Sequence, residues 1–256
     1  MASHTPAERR SYTLDRLEEN GHVSVTDLSE ELSVSSATIR KDLQFLEDQS
    51  LLIRTHGGAI AANRFAFSAS FDEKAQRQKE EKRRIGTSAA EMVNERDTLI
   101  LDSGTTTLQI ARSLNDPSGL TLATHSLHIA LEMMGNSEVN VLLLGGTVRS
   151  KSASTVGPYA EEMLRDHSFR KLFLAGDGFD LDHGLTTTDD HEAHLNRLMI
   201  ESADKTIAVV DSSKFGRRGL CRICKPSAID AVITDDGVPG EDASKLRENG
   251  CQLVIA

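Results

Sequence analysis

Five short polar tracts hold the side chains best suited to grip a small charged or hydroxylated molecule. They are Asp102-Ser103-Gly104-Thr105-Thr106-Thr107, Thr124-His125-Ser126, Gly145-Gly146-Thr147-Val148-Arg149, Gly176-Asp177-Gly178-Phe179-Asp180 and Asp211-Ser212-Ser213-Lys214. A helix that starts within residues 103–107 offers free amides and hydroxyls to an anion, and Gly104 lets the backbone approach closely. Arg149 or Lys214 supplies compensating charge, and Asp177 accepts bonds from sugar hydroxyls. The chemistry that fits is a small phosphorylated polyol. Taken singly, the threonine tract also reads as a polar helix cap and Gly145-Gly146 as a plain turn. Taken together they give a candidate ligand set of Asp102, Ser103, Gly104, Thr105, Thr106, Thr107, Thr124, His125, Gly145, Gly146, Arg149, Asp177 and Lys214.

A second set lies near the start of the chain. Leu14 and Leu17 have helical spacing over residues 7–20, stopped by Asn20-Gly21. Val23-Ser24-Val25 alternates like a strand, and Thr26 is placed to cap a short second helix. Ser35 is placed to cap a third, running to about Asp48. On a wheel, Ile39, Leu43 and Leu46 form the buried stripe of that helix. Ala37, Arg40, Lys41 and Gln44 fall opposite, with Ser35, Ser36 and Thr38 in the first turn and Asp42 and Glu47 on the flanks. Hydroxyls and N-terminal amides hold phosphates, while Arg and Gln reach base edges in a major groove. Residues 51–54 and 59–61 read as two strands joined at Gly57-Gly58, a wing that places Arg54, His56 and Gly57 at a DNA backbone or minor groove. The alternative is a small helical domain with solvated cations.

The elements that must position the first set follow from the apolar runs. Residues 98–101, 120–123, 139–144, 171–175, 206–210, 231–233 and 252–255 are short and β-rich, and most are separated by helical spacing such as Leu108, Ile110, Ala111 and Leu114. That alternation predicts an α/β domain with a mostly parallel sheet. The polar tracts then share the sheet edge where open α/β folds bind ligands.

Composition narrows the function. In 256 residues, 29 Lys and Arg against 39 Asp and Glu give a net charge of −10, which argues against coating nucleic acid or an anionic membrane by bulk charge. Aromatic residues are 4% with no Trp, which counts against base-stacking platforms. No run approaches the length of a membrane span, the first twenty residues lack the apolar core of a signal peptide, and three cysteines cannot all pair. The expectation is a reduced, cytoplasmic protein.

The stretch from Val23 to Ala59 resembles the N-terminal winged helix–turn–helix of the DeoR family of bacterial transcription regulators. The resemblance rests on Val34-Ser35, Thr38-Ile39-Arg40-Lys41-Asp42-Leu43, Leu46-Glu47, Leu52, Arg54 and His56-Gly57-Gly58-Ala59. Lys41 stands where the family has a second Arg, and Ser50 where it has Gly. LDSGTTT, LGGTVR, GDGFD followed by HGLTT, Glu192-Ala193 before Arg197-Leu198-Met199-Ile200, DSSKFG and VITD are similar, in order, to the family's effector domain. His125 replaces a usual Asn, and Asn196 stands where Lys is common.

The resemblance implies a fold similar to ribose-5-phosphate isomerase and a sugar phosphate as effector. It implies a DNA-binding domain at 1–61, a linker at 62–78 and a sensor domain at 79–256. The function implied is a repressor of a sugar or polyol operon that binds double-stranded operator DNA as a homodimer or homotetramer. No catalytic residue, cofactor, metal or membrane partner is expected. The alternative, a sugar-phosphate isomerase with an appended helical domain, wants a Lys-Gly-rich loop and a Glu base after Asp177, and His183-Gly184-Leu185-Thr186 has no Lys.

Other features read blandly. Phe65, Phe67 and Phe71 suit either a linker packed on its neighbour or an interface. The run from Lys79 to Arg84 reads as the solvated start of a helix continuing to Val93, with pairs such as Glu80 and Arg84. Cys221 and Cys224 form a lone C-x-x-C, and His191 and His194 lie in an acidic helix start with His183 nearby.

Residues 1–64 carry seven Lys and Arg against ten Asp and Glu, so the DNA-reading cations must act by position. Binding to random duplex DNA should be weak, with a logarithmic salt slope no steeper than about four phosphate contacts allow. Fluorescence polarisation across a salt series measures it. A steeper slope would reveal a further basic surface, with residues 79–84 the first place to look.

Overall fold

A computed structural model describes residues 5–20, 22–48, 51–55, 57–61, 71–115 and 118–256. The chain divides into two compact units, residues 1–65 and 66–256.

The first unit holds α1 (Pro6–Asn20), β1 (His22–Ser24), α2 (Val25–Glu31), α3 (Ser36–Asp48), β2 (Leu52–Thr55) and β3 (Gly58–Ala61). Leu17, Leu28, Ile39, Leu43, Leu46 and Leu52 form its core. The expected cap of α2 moves two residues. Ser24, not Thr26, is extended, and its Oγ accepts from the amides of Thr26 at 3.1 Å and Asp27 at 3.4 Å. Ser35 caps α3 as expected, its Oγ accepting from the Thr38 amide at 3.2 Å. The wing is a hairpin of β2 and β3, widened to a three-stranded sheet by β1 against β3. Gly58 opens β3 rather than forming the turn. A Cβ there would lie 1.9 Å from the Val23 carbonyl oxygen, so only glycine lets the strands pair.

Asp42 is a correction. It is buried instead of lying on a solvated flank, and its carboxylate accepts from Nε of Arg9 at 2.8 Å and of Arg10 at 3.0 Å. Ile39, Leu43 and Leu46 face the core on either side of it along α3, so a cation from α1 must satisfy it.

The second unit holds α4 (Phe71–Gln76), α5 (Lys79–Ala90), β4 (Thr98–Leu101), α6 (Thr105–Ser113), β5 (Leu120–Thr124), α7 (Leu127–Met133), β6 (Val139–Leu143), β7 (Thr147–Arg149), β8 (Ser154–Val156) and α8 (Pro158–Arg165). It continues with β9 (Lys171–Leu174), β10 (Gly178–Asp180), β11 (Gly184–Thr187), α9 (Asp190–Glu201), β12 (Thr206–Val209), β13 (Cys221–Cys224), β14 (Ala231–Thr234), α10 (Gly240–Glu248) and β15 (Gln252–Ile255). Seven strands form one parallel sheet in the order β15-β14-β12-β9-β4-β5-β6. They are the seven apolar runs of the sequence.

Strand alternation gives the sheet two buried faces. Leu99, Leu101, Phe173, Ile207 and Val209 pack with Ile85, Ile110 and Ile129 of α5, α6 and α7. Ile100, Leu172, Leu174 and Ala208 pack with Leu164, Leu195 and Leu246 of α8, α9 and α10. Two antiparallel ribbons, β10-β11-β13 and β7-β8, are additions to the expected fold. GDGFD is therefore half strand.

Part of the expected linker is structured: residues 71–76 form α4, and Phe71 stacks on His128 at 4.1 Å between ring centroids. Phe65 and Phe67 lie outside the described residues. The charged run also departs from expectation. Glu80 pairs with Arg83 rather than Arg84, Arg84 pairs with Asp236, Lys82 is buried, and α5 stops at Ala90.

Replacing Asp42 leaves two arginines facing a partly buried site without an anion. Asp42→Ala should destabilise the first unit by about 3 kcal/mol or more. Hydrogen exchange in the full chain should show α1 and α3 losing protection while the parallel sheet keeps it.

Candidate functional site

Strand order locates the pocket. From β4 the chain runs through β5 to β6 on one side, then crosses to β9 and onward to β12, β14 and β15 on the other. Adjacent strands β4 and β9 thus send their connections in opposite directions, and a crevice opens beyond their carboxyl ends. The residues following these two strands line it: Asp102 to Thr106 after β4, and Ala175 to Asp177 after β9. Lys74, Lys82, Thr187, Glu192 and Lys214 complete this lobe. A neighbouring lobe shares Lys74, Ser103, Gly104, Thr105 and Glu192 and adds Phe71, Arg149, Lys151, Ser152 and Thr188.

The floor gathers open amides, a hydroxyl and ammonium groups, a chemistry suited to an anion. Helix α6 begins at Thr105 after the extended Gly104, and its first-turn amides have no intrahelical acceptor. Ser103 is nine-tenths buried there, and its Oγ has no hydrogen-bond partner. The Lys214 ammonium lines the same lobe without a bond or ion pair among the described residues. Lys82 Nζ donates to the carbonyl oxygens of Lys74, at 2.5 Å, and Arg77, and burial lowers its pKa to about 8.

Carboxylates face these cations. Asp177 accepts from Lys74 Nζ, from Thr187 Oγ1 at 3.3 Å, and from the Thr188 amide and hydroxyl at 3.3 and 3.2 Å. Burial would raise its pKa, but the charge of Lys74 outweighs burial and holds the carboxyl below its ordinary range. Glu192 is pushed the other way by burial and by the charges of Asp102 and Asp177, although Arg149 sits 2.7 Å from it. Arg149 also pairs with Asp189 at 3.1 Å.

Beneath the floor, His125 is fully buried. Its Nδ1 lies 2.9 Å from the Thr155 carbonyl oxygen, which can only accept, so Nδ1 carries a proton. Its Nε2 lies 2.9 Å from Asp102 Oδ1 and 3.0 Å from the Ser103 amide. A protonated Nε2 donates to Asp102; a bare one accepts from Ser103. Burial disfavours the imidazolium, but the hydrogen bond and charge of Asp102 prevail and raise the pKa of His125 above its ordinary value.

In the first unit, Ala37, Arg40, Lys41 and Gln44 are exposed along one side of α3, and Arg40 and Lys41 are free of ion pairs among the described residues. Ser35 is exposed, Ser36 and Thr38 are half-buried, and Gly57 is exposed at the wing tip. Arg54 turns back to α3, donating to Gln44 Oε1 and lying 3.9 Å from Glu47. Gln44 in turn donates to Asp48 at 2.8 Å. His56 lies outside the described residues.

A family model described as the DeoR C terminal sensor domain matches residues 77–236, and one described as the DeoR-like helix-turn-helix domain matches residues 9–65. The chain belongs to the DeoR family. Two relatives match this DeoR-family regulator along its length. The HTH-type transcriptional regulator GlpR of Haloferax volcanii is 35% identical over 97% of each chain. The glycerol-3-phosphate regulon repressor of Escherichia coli K12 is 33% identical over 97% of this chain and 98% of that one. These relatives are regulators, and the isomerase alternative is set aside on their account. Ribose 5-phosphate isomerase A of Methanocaldococcus jannaschii overlaps 54% of this chain and 55% of that one at TM-score 0.41 and 14% identity.

The pocket of the DeoR-family chain differs in part from the sequence expectation. Asp102, Ser103, Gly104, Thr105, Thr106, Arg149, Asp177 and Lys214 line it. Thr107, Thr124 and His125 do not; they are wholly buried. Thr107 Oγ1 donates to the Asp102 carbonyl at 2.7 Å, and Thr124 Oγ1 accepts from the Ser126 amide at 3.1 Å, so both brace loops. Gly145 and Gly146 also fall outside both lobes. Gly146 has φ 144°, and a Cβ there would meet the Val156 carbonyl oxygen at 2.4 Å, so it serves the turn into β7. Asn196 is buried on α9 and lines neither lobe.

Sequence reasoning missed Lys74, Lys82, Lys151 and Glu192. Only Glu192 had a signal, as the acidic residue one turn into a helix. Asp189 caps that helix, accepting from the Glu192 amide at 3.0 Å. Among the described residues no cluster of three His, Cys, Asp or Glu could hold a metal. Cys221 and Cys224 lie three apart on strand β13, and both are free thiols.

The His125–Asp102 pair carries a sign. A raised folded pKa stabilises the fold fully below the ordinary imidazole value of 6.5, and that contribution is lost as pH rises through the raised value. Thermal melts of the wild type and His125→Asn should therefore differ most below pH 6.5 and converge at alkaline pH. A gap independent of pH would mean His125 is neutral throughout.

Proposed function

We propose that this regulator represses a sugar or polyol catabolic operon and that a phosphorylated sugar metabolite, bound at the β4–β9 crevice, controls its grip on operator DNA. The observation that carries the ligand class is the anion seat: open α6 amides, the unbonded Ser103 Oγ and the unpaired Lys214 in one pocket. The phosphate sits there, and Asp177 and Glu192 take the hydroxyls. Control requires that the ligand bind the DNA-competent and incompetent arrangements with different affinity. The names of the relatives, one a repressor of a glycerol-3-phosphate regulon, support the metabolic assignment.

DNA is read by α3. Ser35, Ser36, Thr38 and the first-turn amides hold phosphates, while Arg40, Lys41 and Gln44 enter the major groove. Arg54 and Gly57 of the wing approach the backbone. For Arg54 and Gln44 to reach DNA, their mutual bond must open. One such module reads too few base pairs for specificity, so the working form is a homodimer or homotetramer. No described helix is long and apolar enough to cross a membrane, and three free thiols suit the cytoplasm.

Polarisation titrations with duplex DNA from upstream of the regulator's own gene, with and without a panel of sugar phosphates, test this reading. Folded protein that binds no such DNA specifically at any salt would sink it. Arg40→Ala should weaken operator binding by about 1–3 kcal/mol while leaving sugar-phosphate affinity unchanged. Loss of sugar-phosphate affinity in that variant would contradict the division of roles.

A further inference from the structure

Helix α4 is the first described element after the connector, and it is fastened to the sensor core at a few points. The Phe71 amide donates to the Lys151 carbonyl at 3.0 Å, and the Phe71 ring stacks on His128. Lys74 reaches Asp177. Lys82, from α5, donates to the carbonyl oxygens of Lys74 and Arg77 as α4 ends. Two of these fastenings use ammonium groups that line the crevice. The same cations that hold α4 in place are therefore within reach of whatever fills the pocket.

We propose that Lys74 and Lys82 are ligand-reading residues that couple occupancy of the crevice to the docking of α4, making α4 the element that carries the signal toward the connector. The inference rests on the sugar-phosphate reading of this pocket. Without ligand, Lys74 occupies the Asp177 carboxylate, and Thr187 and Thr188 bond the other oxygen. A sugar hydroxyl seeking Asp177 competes with Lys74, and the phosphate offers Lys74 a second anion. Lys82 donates to two carbonyls and keeps a third proton for the phosphate. A phosphate bonded to both lysines joins α4 to α5 through the ligand. Bonds from ammonium groups to a phosphate are charge-assisted and therefore strong. Bound ligand therefore tightens α4 on the core, and the chain that enters the connector is held differently in the two states.

The test is amide hydrogen exchange of the full-length wild type, alone and with inorganic phosphate, glycerol 3-phosphate or ribose 5-phosphate, with binding followed separately by calorimetry. Any probe that binds should slow exchange in residues 71–78 by about tenfold. In Lys74→Met the probe should bind more weakly, and exchange of α4 should no longer respond. In Lys82→Met, α4 should exchange faster even without probe. Binding that leaves residues 71–78 of the wild type unchanged overturns the coupling and spares the reading of the pocket. A Lys74→Met protein that responds like the wild type also overturns it. Failure of every probe to bind at millimolar concentration overturns the sugar-phosphate reading and the coupling with it. The wild-type measurement decides the matter if a variant fails to fold.

Discussion

The Asp102 carboxylate joins the carboxyl ends of three adjacent strands of the sensor sheet, β9, β4 and β5. Its Oδ2 accepts from the Ala175 amide at 3.1 Å, which ties the loop after β4 to the loop after β9. Its Oδ1 faces His125, which stands after β5. Through His125 the tie extends to β8, because the Thr155 carbonyl accepts from the imidazole and the Thr155 amide donates back to the His125 carbonyl at 2.9 Å. Side chains this deeply buried must satisfy one another, since no water can do so. The α6 amides, Ser103 and the Asp177 loop keep their positions because this cross-brace holds the strands that carry them. The acidic residue of the LDSGTTT tract thus shapes the crevice by bracing the loops that line it.

Within the seat, positive and negative groups alternate. Lys74 lies on Asp177, Arg149 lies on Glu192 and Asp189, and Lys82 lies on backbone carbonyls. Burying so many charges is tolerable only because nearly all are paired. Lys214 has no bonded anion among the described residues, only the through-space charges of Asp211 and Asp177, and it lines the lobe beside the start of α6. A ligand that brings negative charge and hydroxyls together would add a bonded partner for Lys214, which a neutral sugar would not. This charge pattern is what supports the proposal of a phosphorylated polyol rather than a free one.

Much of this was legible in the sequence. The seven sheet strands stand out because each is a compact apolar run, and the five inner ones are buried on both faces. The two sides of α3 were legible from the wheel, since Ile39, Leu43 and Leu46 are buried and leave Arg40, Lys41 and Gln44 exposed. What escaped is long-range. Nothing local distinguishes Lys82 from Lys79 within a charged run; its burial comes from contacts outside its own helix, among them the carbonyls of Lys74 and Arg77. Asp42 looked solvated because its partners, Arg9 and Arg10, are a helix away. Strands β10 and β11 were hidden in glycine-rich tracts, where Gly178-Phe179-Asp180 pairs with Gly184-Leu185-Thr186 without any apolar run to announce it. Thr107 and Thr124 share a residue type with ligand-binding hydroxyls, and type alone cannot tell a brace from a ligand.

The order of the parallel sheet bears on how the chain is made. Strand β4 lies beside β9, so Ile100 is aligned with Leu172, and β12 closes against β9 and β14 later still. Pairings that span such separations form slowly, because loops must close before any contact rewards them. The winged unit lies within the first sixty-odd residues, and even its wide pairing of His22 with Ile60 spans about half the chain that separates Ile100 from Leu172. On a ribosome that makes a few to some tens of residues per second, on the order of 5–20 per second, the DNA-reading unit can be complete while half of the sensor sheet is still unmade. A newborn chain therefore owns its helix–turn–helix unit before it owns the crevice of its sensor domain.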